Sequence, residues 1–210
     1  MSEFFNIDNP IMSGILKVMN CILLCIVWLI CCIPIFTVGA ASTSLYYTVQ
    51  KVLKNDRGYL LSEFFHSFRK NFKQSTLAWL IFLVVGVIFA GDIRICKMII
   101  ESGNVWGNVY VVFYFFLAIE FLYAVYVLAY IARFENSLKI IFKNSLILMF
   151  RHIGTTLLIA AIAVFCGVCM YILPPVTFIV PVVMVWFISF TLEKVFIRYM
   201  TEEEKMDAML

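Results

Sequence analysis

Val109 to Tyr130 reads VYVVFYFFLAIEFLYAVYVLAY, and Glu120 is its one ionisable carboxylate. A bilayer's hydrocarbon core is about 30 Å thick and takes about 20 apolar residues as helix. A helix on the surface of a soluble domain pairs an apolar stripe with a charged face. This stretch is apolar all round, so its length and composition are those of a membrane span.

The rest of the chain agrees. Of 210 residues, 64% are hydrophobic and 14% charged, and the mean hydropathy is +1.00. Soluble domains run at roughly 45–50% apolar and about 25% charged. These values exclude a soluble globular enzyme, a nucleic-acid-binding module, a disordered tail and a secreted disulfide scaffold. They leave an all-α polytopic membrane protein forming one domain over 1–210.

Five spans are expected, at about 15–36, 76–90, 109–130, 153–173 and 177–196, with helical loops at 37–75 and 131–152. The second span is the short one. Pro174-Pro175 cannot continue a helix and makes the last two spans an antiparallel hairpin. Pro181 is expected to kink the fifth. Val38-Gly39-Ala40-Ala41-Ser42 has the small residues of a signal cleavage site. The apolar run before it is too long for a signal peptide and is preceded by Glu3 and Asp8, so it is read as retained.

Orientation follows from Lys and Arg, which concentrate in cytoplasmic loops. Lys51, Lys54, Arg57, Arg69, Lys70 and Lys73 follow span one. Arg133, Lys139, Lys143 and Arg151 follow span three, and Lys194, Arg198 and Lys205 come after or at the end of span five. Only Lys17, Arg94 and Lys97 fall on the other side. The expectation is therefore N-out and C-in. Trp79, Trp106, Tyr130, Tyr171 and Tyr199 fall where interfacial aromatic belts are expected.

The first loop is too long for a plain connector. It reads as two helices parted by the turn Asn55-Asp56-Arg57-Gly58. In the second, Leu61, Phe64, Phe65, Phe68 and Phe72 share a face, with His66, Arg69, Lys70 and Lys73 elsewhere. This is the pattern of a basic amphipathic helix lying on anionic lipid, and it is a candidate docking or lipid-contact surface. Asn136 to Phe150 repeats the scheme, with Leu138, Ile141, Phe142, Ser145, Leu146 and Met149 on one side. The matching entries Phe72-Lys73-Gln74 and Phe150-Arg151-His152 fit either a parallel internal repeat or the generic basic entry to a span.

Glu120 is the sharpest chemical feature. A carboxylate at that depth costs about 2.5–3.5 kcal/mol or more on insertion scales. It must face other helices, find a partner or be protonated. Tyr123 is a local hydrogen-bonding candidate, and Ser189 or Thr191 are candidates at similar depth. Two readings stand: a proton- or solute-binding group, or a neutral acid joining two helices. Lys17 reads as a snorkelling residue, and Glu193, Lys194 and Arg198 as solvated anchors. Six of the seven cysteines (Cys21, Cys25, Cys31, Cys32, Cys166 and Cys169) fall in spans and read as small apolar packing, with Cys96 alone in the outer loop. No metal or cofactor is expected. The chain has no G-x-x-x-x-G-K-[ST] loop, no H-E-x-x-H and no G-x-S-x-G, so it is not expected to be an enzyme.

The stretch Cys32-Ile33-Pro34-Ile35-Phe36-Thr37-Val38-Gly39-Ala40-Ala41-Ser42-Thr43-Ser44-Leu45-Tyr46-Tyr47 resembles the signature of the YesL-like family of bacterial membrane proteins. Phe64-Phe65, Phe68, Asn71-Phe72-Lys73-Gln74, Asn9-Pro10 and Glu135-Asn136-Ser137-Leu138-Lys139 extend the resemblance. Pro34, Gly39, Ala40, Ser42, Tyr46, Tyr47, Asn71 and Phe72 carry it most clearly. The resemblance implies a bacterial plasma-membrane protein of unknown function, commonly set beside carbohydrate ABC transporters. It implies a non-enzymatic accessory component of sugar uptake, with permease or ATPase subunits as partners and no nucleic acid. The alternatives are a small transporter or channel using Glu120, or a membrane sensor.

Overall fold

The computed structural model describes residues 10–55, 57–101 and 105–200. Glu3, Asp8, Asn9, Asp56 and Lys205, and the side chain of Trp106, lie outside the described residues. The described chain is all-α, 90% helical and without strands. Seven α-helices follow one another: α1 Pro10–Cys32, α2 Val38–Thr48, α3 Leu60–Glu101, α4 Tyr110–Arg133, α5 Leu138–Arg151, α6 Ile153–Ile172 and α7 Val180–Phe196.

Among the described residues, three helical stretches are long and apolar enough to cross a membrane: Leu60–Glu101, Gly107–Arg133 and Ile153–Ile172. A shorter apolar helix covers Leu16–Cys32. Their outward residues are also apolar. Ile26, Ile30, Val84, Val87, Phe115 and Phe165 are all exposed, although a water-soluble surface would place polar groups there. The chain is a membrane-associated helical protein.

The first three helices form a zigzag. Pro34 ends α1, and the Thr37 hydroxyl lies 2.6 Å from the carbonyls of both Cys31 and Pro34. The chain then folds back on itself. Trp28 Nε1 donates to Ser42 Oγ at 3.4 Å. Cys21, Leu24 and Cys25 share one apolar cluster with Leu45, Val49, Val52 and Leu53. A second reversal follows the π-helical turn Val49–Lys54 and Gly58, whose φ of 77° suits a residue without a side chain. Gly39 then lies against Trp79 and Ser75, and Lys51 pairs with Glu63 at 2.8 Å. Each helix therefore runs antiparallel to the next, and α1 and α3 run in the same direction.

Residues 37–54 pack inside the bundle: Ala40, Ala41, Thr43, Ser44 and Val49 are fully buried. Small side chains let α2 approach α3 closely, as in membrane helix pairs generally. The N-out expectation assumed that α1 and α3 run oppositely, and they do not.

A further difference concerns the second span. The amphipathic segment and the apolar segment are one 42-residue helix, α3. Nothing between Leu60 and Val85 breaks a helix, since the first glycine is Gly86 and no proline intervenes. Its aromatic face is also not simply on lipid. Phe64 is fully buried against the α1–α2 hairpin, while Phe65 is exposed.

α4 runs back along α3, with Phe89 against Phe113 and Phe116, and Phe82 against Tyr123. α5 buries Ile141, Ser145, Leu148 and Met149. Phe142 stacks on Phe82, whereas Leu146 is exposed rather than inward. At α6, Thr156 is hydrogen-bonded to Tyr126 at 3.0 Å. Pro174–Phe178 forms a short 3-10 turn, and α7 packs beside α6. Pro181 sits in the first turn of α7 and does not kink it, which is where a missing N–H costs nothing.

Candidate functional site

Glu120 and Tyr123 share α4 but not a site. The Glu120 carboxylate faces Gly86 of α3, where a Cβ would lie 3.6 Å from Oε2. Its Oε1 is buried without a hydrogen-bond partner. Tyr123 donates to the carbonyl of Phe142 at 2.8 Å instead. Ser189 and Thr191 bond back to Trp186 and Phe187 on their own helix. Glu120 therefore meets a helix contact at a glycine.

His66, Arg69, Lys70 and Lys73 are all exposed on the first half of α3. An open hollow runs along Leu61, Ser62, Phe65, His66, Arg69 and Lys70. Lys70 contacts Glu135, whose carboxyl it holds below the ordinary value through hydrogen bonding and charge.

The signature residues are largely structural in this setting. Pro34 ends α1, Gly39 forms the close α2–α3 contact, Ala40 is fully buried, and Ser42 accepts from Trp28. Tyr47 accepts from Lys51 at 3.2 Å, Asn71 donates to Ser67 at 3.3 Å, and Phe72 packs on Phe68. Tyr46 differs from the others. It is buried, and its hydroxyl donates to Glu193 Oε1 of α7 at 3.1 Å.

Glu193 is not a solvated anchor. It is 5% exposed, and its Oε2 lies 3.1 Å from Arg133 Nη2. A carboxylate removed from water requires compensation by charge and hydrogen bonds, and Arg133 and Tyr46 supply both. Lys54 adds to the same field. Burial holds its ammonium below the ordinary lysine value, while Glu193 pulls the other way. The cluster joins α2, the end of α4 and the end of α7. Sequence reasoning missed it because Arg133 and Glu193 are far apart in the chain. One signal was present: both stand at the basic ends of spans that point the same way.

Two cavities flank Tyr46 and Arg133. On one side an apolar cavity of about 280 Å³ lies between α1, α2, α3, α4 and α7, with the Tyr46, Trp28, Trp79 and Phe121 rings in its walls. On the other a polar hollow of about 130 Å³ is lined by Tyr47, His66, Lys70, Asn71 and Arg133 among others. Tyr46 lines the apolar cavity and Arg133 the polar hollow, and Glu193 contacts both side chains.

No curated protein and no solved structure matches the chain. Residues 21–93, which carry α2, most of α3 and Tyr46 but neither Arg133 nor Glu193, are similar to the family described as "Protein of unknown function, DUF624".

Proposed function

We propose that the chain is a non-enzymatic integral membrane protein of the bacterial plasma membrane, acting as a partner component of a carbohydrate-uptake system of the ABC type. The observation that carries the partner role is the first half of α3. At 1.5 Å per residue the 42-residue helix is about 63 Å long, roughly twice the hydrocarbon thickness. Part of α3 therefore lies beyond the lipid, and its first half presents Leu61, Phe65, His66, Arg69 and Lys73 outward. An exposed face mixing aromatic and basic side chains suits docking of another subunit. The carbohydrate setting follows from the resemblance of the Cys32–Tyr47 stretch.

In this reading the helices α1, α3, α4, α6 and α7 lie in the bilayer, and α2 returns through the bundle. The Lys and Arg distribution puts Leu60, the α4–α5 connection and the end of α7 in the cytoplasm. The antiparallel zigzag supports putting the Pro10 end of α1 on that side too.

Affinity purification of the full chain from native membranes in mild detergent tests the role. A sugar permease or its ATPase is expected to co-purify, and the pair Phe65→Ser and Arg69→Ser to lose it. Absence of both subunits from the wild-type preparation overturns the partner role. Labelling by an impermeant thiol reagent of a cysteine introduced at Gly58 in intact cells overturns the orientation.

A further inference from the structure

The polar hollow between α2, α3 and the end of α4 is used by nothing described so far. We infer that it binds a phosphate oxyanion, presented by an anionic lipid headgroup or free in solution. Tyr47, His66, Lys70, Asn71 and Arg133 line it from three helices, together with the carboxylate of Glu135 just after α4.

The donors are arranged for an oxygen ligand. Arg133 Nε–H is buried and has no acceptor, while the same guanidinium is fixed through Nη2 by Glu193 at 3.1 Å. A planar guanidinium held in place matches the oxygens of a phosphate. The Asn71 amide spends one hydrogen on Ser67 Oγ at 3.3 Å, and an amide nitrogen carries two.

The cations are held by carboxylates that differ in burial: Glu193 compensates Arg133, and Glu135 compensates Lys70. Lys70 already contacts an oxyanion, the carboxylate of Glu135. That carboxylate is 80% exposed, and exposed pairs contribute about 0–1 kcal/mol, so a better anion displaces it cheaply. Arg69 and Lys73 stand exposed on the same stretch of α3 and raise the local positive potential. The volume sets the ligand's size. About 130 Å³ is below the roughly 300–1,000 Å³ of sites that enclose whole metabolites, so one small group enters and the rest of any larger molecule stays outside. The inference is independent of the docking partner, since vesicles or nanodiscs containing no other protein suffice to test it.

The full chain in phosphatidylcholine nanodiscs is titrated with inorganic phosphate, and a second series carries graded phosphatidylglycerol without phosphate. The readout is the unfolding midpoint. A saturable rise is expected in at least one series: in the first it assigns a soluble phosphate, in the second alone a lipid headgroup. Lys70→Gln and Asn71→Leu are expected to weaken apparent affinity at least tenfold and Glu135→Gln to strengthen it severalfold. Lys139→Gln, at another exposed lysine, on α5, is expected to change it less than twofold. No saturable rise in either series overturns the inference. So does a loss with Lys139→Gln equal to that with Lys70→Gln, or an unchanged affinity in the charge-neutral Asn71→Leu. Should Asn71→Leu not fold, His66→Gln at the exposed rim takes its place, and unchanged affinity there counts equally against the site.

Discussion

Glu120 and Glu193 are both carboxylates on apolar helices, and the protein treats them differently. Glu193 has Arg133 and Tyr46 within hydrogen-bonding or ion-pairing distance and ties three helices together. Glu120 has a glycine opposite and an Oε1 with no partner. The acid that stands out in sequence is the one with few partners, and the acid that reads as an anchor is the one built into the fold. Isolation in an apolar run is thus a poor guide to structural role when the compensating charge comes from a distant helix.

The sharpest way to break this comparison is to remove the partner. Arg133→Gln leaves Glu193 buried and uncompensated, and breaking a buried pair costs about 3–5 kcal/mol. Unfolding in mild detergent measures it, and the Arg133→Gln/Glu193→Gln double variant is expected to recover much of the loss. Single and double variants agreeing within about 0.5 kcal/mol would show that the two side chains are not coupled.

Gly39→Val comes next. Its Cβ would overlap Trp79 Cβ and the Ser75 carbonyl oxygen, and overpacking costs about 1–3 kcal/mol. A variant as stable as the wild type would mean α2 is not wedged against α3. Glu120→Gln is expected to change stability by less than about 1 kcal/mol, the usual range for near-isosteric changes away from a network. It is also expected to leave any solute flux in proteoliposomes unaltered. A wild-type flux abolished by Glu120→Gln would restore the transporter reading.

The smallest effect is a pH dependence at His152, where α5 meets α6. Burial, then Arg198 and Arg151, hold the imidazole below its ordinary value of 6.5. The folded state thus favours the neutral ring. Stability is full above that value and declines as pH falls through it towards the lower folded value. His152→Asn is expected to flatten this slope, and an identical slope in both proteins would remove His152 from the account.

Much of the architecture is legible in the sequence, because breakers act locally. The Pro174-Pro175 pair ends a helix where expected, and Gly58 turns the chain. The expected third and fourth spans, 109–130 and 153–173, lie close to α4 and α6. The unbroken α3 is harder to read. A change from amphipathic to wholly apolar pattern at Gln74–Leu77 looks like a boundary, yet backbone hydrogen bonds continue through any residue that does not forbid them. The folding-back of α1 onto α2 is not legible either, since Cys21, Cys25, Val49 and Val52 carry no mark of their mutual contact. The same holds for the Arg133–Glu193 pair, which depends on two helix ends meeting in three dimensions.

The continuity of α3 has one mechanical consequence. With no joint between Leu60 and Glu101, whatever grips the basic end holds a lever. A displacement there cannot be absorbed midway, so it must emerge as tilt or rotation at the opposite face of the bilayer, carrying Gly86 and its facing carboxylate with it.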